Sequence, residues 1–140
     1  MPLVSTGTLL FRRPGRLEKV TEAPAPETLV VEGNQVVLTI GNEPPRVVPP
    51  GAAPGLDAMI DAFRAPLAGD LPALQRAFGV AGTGSPAAWQ LDLTPTDPAV
   101  ARLLRHVTVA GGGDQVRRIT VTQANGDTQD ITVEPSMADR

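Results

Sequence analysis

The sequence predicts an α+β fold: a single curved antiparallel β-sheet, incomplete and half-barrel-like, with helices covering its concave face. Three observations predict it. Short segments of alternating apolar and polar residues are joined by tight turn signals, and strands joined that way run antiparallel. Two amphipathic stretches interrupt them at mid-chain, and each must bury its apolar stripe against something. The alternation then returns and continues almost to the end. Strands in runs with a few segregated helices belong to the α+β class. One domain covering residues 1–140 is expected, with N-terminal strands in 5–48, a helical insert in 54–79, and C-terminal strands with one short helix in 87–134.

Residues 5–48 read as β-structure. Leu9 and Phe11 alternate with Thr8 and Leu10, and Pro14-Gly15 supplies a turn, since proline presets φ and glycine tolerates positive φ. Leu17 to Thr21 forms a second, more polar strand, and the bend EAPAPE follows it. Thr28 to Glu32 and Gln35 to Ile40 flank Gly33-Asn34 as a hairpin, with Val36, Leu38 and Ile40 sharing one face. The proline-rich stretch from Asn42 to Gly55 reads as an irregular linker or rim loop.

Leu56, Met59, Ile60, Phe63 and Leu67 fall on one helical stripe, with Asp57, Asp61 and Arg64 outside it. Asp70 is the expected N-cap of a second helix, whose stripe continues through Leu71, Leu74 and Phe78. After an expected loop from Val80 to Ala88, Trp89, Leu91 and Leu93 face inward along a strand. Asp97-Pro98 caps and starts one short helix. Val107 and Val109 begin a strand, and Asn125-Gly126 marks the hairpin between Val116–Gln123 and Thr128–Glu134.

Composition excludes several function classes. The chain is 41% hydrophobic but only 3% aromatic, so its core is aliphatic. A formal net charge of −3 argues against nucleic acid, which demands a basic face. Cysteine is absent, which excludes thiolate chemistry and disulfides. No apolar run reaches the length of a membrane-spanning helix, and MPLVSTG has neither the charged nor the apolar region of a signal peptide.

No catalytic constellation or cofactor motif is apparent. His106 is the single histidine and has no histidine or cysteine with which to share a metal, so a structural role is expected and no metal site. Asp57 and Asp61, at i and i+4, read as the solvated face of an amphipathic helix. Gly82-Thr83-Gly84-Ser85 and Gly111-Gly112-Gly113 read as turns, because a phosphate-cradling loop needs a helix behind it. Arg12, Arg13 and Arg16 form a basic turn, solvated or anion-binding.

The sheet offers many aliphatic side chains, among them Leu9, Phe11, Leu38, Ile40, Trp89 and Leu91. Apolar surface between a curved sheet and amphipathic helices, here carrying Met59 and Phe63, is the kind of surface that holds acyl chains. An ordinary filled core is the other reading of the same residues.

The segment Gly7, Leu9, Arg13, Pro14, Leu17, then Pro24 or Pro26, then Leu29-Val30-Val31-Glu32-Gly33 resembles the opening pattern of the LolA-like outer-membrane lipoprotein carriers. LAGDLPALQRAF, WQLDLTP and ANGDTQDITVE are similar to that family's helical part, its W-x-L-x-L-x-P strand and its closing hairpin. The resemblance, to a shorter proline- and alanine-rich branch, spans most of residues 7–134. It implies a non-enzymatic periplasmic carrier whose incomplete barrel, closed by helices, holds the acyl chains of a lipoprotein or another lipid. The cavity residues would be Leu9, Phe11, Leu38, Ile40, Met59, Phe63, Trp89 and Leu91, and Arg13, the arginine before proline, would latch the lid.

Members of that family usually have a leader, an N-terminal helix and a further strand before the motif, whereas this sequence begins almost at Gly7. Glu18-Lys19 also replaces the aromatic that often follows the turn. A missing helix and strand would leave the cavity more open, or leave a sheet edge free to pair with another copy. The alternative reading is accordingly a structural module that self-associates or docks on an envelope assembly. Expected partners are acyl chains, an envelope membrane protein and a second copy of the chain.

Overall fold

The computed structural model describes residues 4–12, 16–23, 26–32, 35–49, 60, 62–67, 69–113 and 115–134. Strands β1 (Val4–Arg12), β2 (Arg16–Ala23), β3 (Glu27–Glu32), β4 (Gln35–Ile40) and β5 (Arg46–Val48) come first. A helical stretch, α1, occupies residues 62–67. It is followed by α2 (Leu71–Gln75), β6 (Phe78–Ser85), β7 (Ala88–Pro95), α3 (Pro98–Ala101), β8 (Leu104–Gly112), β9 (Gln115–Gln123) and β10 (Thr128–Glu134).

The strands form one large, open, curved sheet of ten strands in the order β5-β4-β3-β2-β1-β10-β9-β8-β7-β6. Every neighbouring pair is antiparallel except β1 and β10, which run parallel with Gly7 opposite Ile131 and Leu9 opposite Val133. The sheet is therefore mixed where an antiparallel one was expected. The reason is topological: β1 and β10 are distant in sequence, so no hairpin constrains their direction. This one parallel ladder joins the N-terminal and C-terminal halves.

Local chemistry accounts for many boundaries. Asp70 caps α2, its carboxylate accepting from the Ala73 N–H at 3.2 Å. Asp97 caps α3 in the same way, accepting from Ala99 at 2.9 Å, with Pro98 at the first helical position. Gly126 takes φ of 95° in the β9–β10 turn, where Asp127 N–H donates to Asn125 Oδ1 at 2.9 Å.

Other expectations are corrected as well. The stretch expected as a loop from Val80 is largely β6, which pairs residue by residue with β7 from Phe78↔Pro95 to Ser85↔Ala88, so Gly82 to Ser85 are strand and the turn is at Pro86-Ala87. Phe78 opens this strand instead of closing a helical stripe. Gly111 and Gly112 likewise end β8. Within the proline-rich linker, Arg46–Val48 forms the short edge strand β5. Of the helices expected to cover the concave face, the described residues give short ones only, α2 having five residues and α3 four. Leu56, Asp57, Met59 and Asp61 lie outside the described residues.

The core is aliphatic, as the composition requires. Leu9, Leu17, Leu29, Val31, Leu93, Val107, Val109, Ile119, Val121 and Ile131 form one buried cluster. Ile60, Ala62, Phe63 and Ala65 of the α1 region and Leu74 of α2 join it.

Candidate functional site

The registers place the expected apolar residues on a single face of the sheet. From Leu9 the row runs through Lys19 and Leu29 to Leu38 on one wing and to Val133 on the other. A neighbouring row runs Ile40, Glu27, Thr21, Gly7, Ile131, Ile119, Val109, Leu91. Because side chains alternate along each strand, Leu9 and Phe11, Leu38 and Ile40, and Trp89 and Leu91 all project to this side.

They do not gather at one point. Leu9, Phe11 and Phe63 are buried at the centre, whereas Leu38, Trp89 and Leu91 are half-buried against the cluster. Ile40, at 38% exposure, stands at the margin of the β4 wing. Met59 and Arg13 lie outside the described residues. Of the other basic-turn residues, Arg12 is exposed and Arg16 pairs with Glu32 at 3.3 Å.

Among the described residues, one buried residue of this face is charged. Lys19 is two positions from the buried Leu17, so it points to the same side, where its cross-strand neighbours are Leu9 and Leu29. It is only 7% exposed. Its ammonium donates to Gln129 Oε1 of β10, and it lies 5.4 Å from the centroid of the Phe63 ring. Gly7, which carries no side chain, stands on β1 between the levels of Lys19 and Gln129. Burial pushes the ammonium below its ordinary value of 10.5, and the negative charge of Glu27 partly opposes this. Among the described residues no carboxylate forms an ion pair with it. Sequence reasoning described this strand only as more polar; the parity with Leu17 was the signal that places Lys19 inward.

At the other wing, an open groove of about 450 Å³ lies at the ends of β6, β7 and β8, bounded by Gly84, Trp89, Gln90, Gly111 and Arg117. Trp89 is pinned there, its indole N–H donating to the Gly113 carbonyl at 2.9 Å. A Cβ at Gly111 would approach the Trp89 ring to 2.7 Å and the Gln115 carbonyl to 2.1 Å, so only glycine allows this packing.

The opposite face is polar. Asp92 Oδ1 lies 3.2 Å from His106 Nε2 and accepts from Thr108 and Gln90. Asp130 takes a two-pronged contact from Arg118. No group of metal-ligating side chains occurs among the described residues. No helix among them is long and apolar enough to cross a membrane.

Over residues 2–139 the sequence matches the family described as outer membrane lipoprotein carrier protein LolA-like. Comparison with curated proteins gives no match.

Proposed function

Because the chain belongs to the LolA-like outer membrane lipoprotein carrier family, whose general role is lipoprotein or lipid carriage, we propose that it is a non-enzymatic periplasmic carrier. Its cargo is a lipoprotein or another acylated lipid, and residues 1–140 act as one LolA-like domain. The observation that carries this reading is the predominantly aliphatic face of a large, open ten-stranded sheet. An acyl chain has no hydrogen-bonding needs, so a surface of Leu, Ile, Val and Phe side chains accepts it by apolar burial alone.

In this account Leu9, Phe11 and Phe63 form the centre of the acyl site, Leu38 and Ile40 one margin, and Trp89 and Leu91 the other, with Met59 a further cavity residue. Arg13 latches the α1 region over the chain, and an envelope membrane protein hands cargo on. Lipid extraction of the protein purified from a periplasmic fraction tests the carrier reading. Recovery of acylated lipid in stoichiometric amount supports it; a lipid-free protein that also fails to take up added lipid overturns it. An Arg13→Leu variant that transfers lipid as fast as the wild type removes the latch.

A second reading is favoured by one observation. Edge strand β6 carries eight residues, Phe78–Ser85, without a proline or a charged side chain, and most of them are exposed. Such an edge lacks the usual protections against pairing with another strand. In this reading the chain self-associates through β6, and scattering across a dilution series then shows a concentration-dependent mass.

A further inference from the structure

A lysine in the middle of an acyl-binding face is chemically out of place unless something there needs it. Replacing it by a hydrocarbon side chain of similar length would remove the cost of burying a charge. The side chain is held with definition: its stem lies among Leu9, Leu17 and Leu29, Gln129 accepts one of its protons, and the Phe63 ring covers another side. An ammonium carries three donors, and among the described residues Gln129 is the one hydrogen-bond acceptor it meets. Around it lies a small polar island on the same face. Gln129 keeps its amide N–H groups, Thr21 is the next inward residue of β2 with Glu27 of β3 opposite it, and Ser5 stands opposite Gln129. The negative charge of Glu27 offsets only part of the cost of burying the ammonium.

We propose that Lys19 is a headgroup site: its ammonium, with the Gln129 amide beside it, binds the anionic end of an acyl-chain ligand whose tail lies along the aliphatic face. This rests on the carrier reading above and narrows the cargo to anionic amphiphiles. The anion meets the ammonium on the side that the Phe63 ring now covers, exchanging a cation–π contact for a charge-assisted hydrogen bond in an apolar setting. The shared chemistry is an oxyanion at the end of a hydrocarbon chain. A fatty acid supplies it as a carboxylate and a phospholipid as a phosphate.

The test is calorimetric titration of the full chain with three probes of equal tail length below their micelle concentrations: hexadecanoate, hexadecyl phosphate and hexadecanol. The wild type binds at least one anionic probe about tenfold more tightly than the alcohol, the increment expected for a hydrogen bond to a charged group. The preferred anion identifies the source. Lys19→Met, which fills the same space with an apolar chain, loses the preference; Lys19→Arg keeps it. Equal affinity for alcohol and anions, or a preference that survives in Lys19→Met, overturns the headgroup site while leaving the carrier reading intact. Failure of all three probes to bind overturns the headgroup site; if a diacylated lipopeptide also fails to bind, the carrier reading falls with it.

Discussion

The Lys19 ammonium lies 5.4 Å from the centroid of the Phe63 ring, so the only lysine of the chain meets one of its three phenylalanines inside the apolar cluster. That contact ties α1 to the sheet, because Lys19 belongs to β2 and Phe63 to the helical stretch at residues 62–67. It also ties β2 to β10, because the same ammonium donates to Gln129. One side chain thus links three parts of the fold around the face to which cargo is assigned.

Phe63 is fully buried, and its removal leaves a cavity as well as an uncovered ammonium. Phe63→Ala is expected to lower stability by about 3–5 kcal/mol, and Phe63→Leu by less because most of the volume is kept. In urea denaturation a Phe63→Leu, Lys19→Met double-mutant cycle should show a coupling of about 0.5–2 kcal/mol from the lost cation–π contact. Strict additivity would deny that the contact matters.

The pH dependence of stability should isolate Lys19. Burial lowers its folded-state value below the 10.5 of the unfolded chain. Between those two values the unfolded chain binds the additional proton, so stability rises with pH in that window and the cost of the buried charge fades toward 10.5. The sequence has no Tyr or Cys and no other Lys, so no other side chain titrates in that range. Denaturation midpoints of wild type and Lys19→Met should therefore converge as pH rises. Parallel midpoints would show that the ammonium is not destabilised by burial.

Gly111→Ala places a methyl group 2.7 Å from the Trp89 ring and 2.1 Å from the Gln115 carbonyl. Contacts that close force the chain to shift, at a cost of about 1–3 kcal/mol. Emission from Trp89, the single tryptophan, should move to longer wavelength as the indole leaves its site against Gly113. Unchanged emission and stability would contradict this packing.

On the polar face, the hydrogen bond from Arg118 holds the Asp130 carboxyl below its ordinary 3.8, against a smaller opposing influence of burial. A depressed folded value stabilises the protein above 3.8 and loses that contribution as pH falls through the lower folded value. Asp130→Asn should flatten the acid limb of a stability profile in that region. The effect is modest, since both side chains face solvent.

Legibility in the sequence followed locality. Asp70 and Asp97 were readable as helix caps, and Asn125-Gly126 as a hairpin, because each signal and the structure it produces lie within a few residues. Strand β6 was obscured because Gly82 and Gly84 have no side chains with which to show an alternation. The parallel β1–β10 ladder has no local signature at all, since it joins Leu9 to Val133 across most of the chain. Leu9, Phe11, Leu38, Ile40, Trp89 and Leu91 were placed on one face by parity alone. Lys19 is not legible as an inward residue because a lysine in a polar strand reads as solvated, and tertiary burial overrides that polarity.

The central claim is that the apolar sheet face takes up acyl chains. Native mass spectrometry of the full chain, mixed with a synthetic diacylated lipopeptide or with hexadecanoate, tests it most directly. The account predicts a one-to-one adduct with at least one of them that survives transfer to the gas phase and weakens in Phe63→Ala. A bare protein mass at every concentration of both ligands would contradict it.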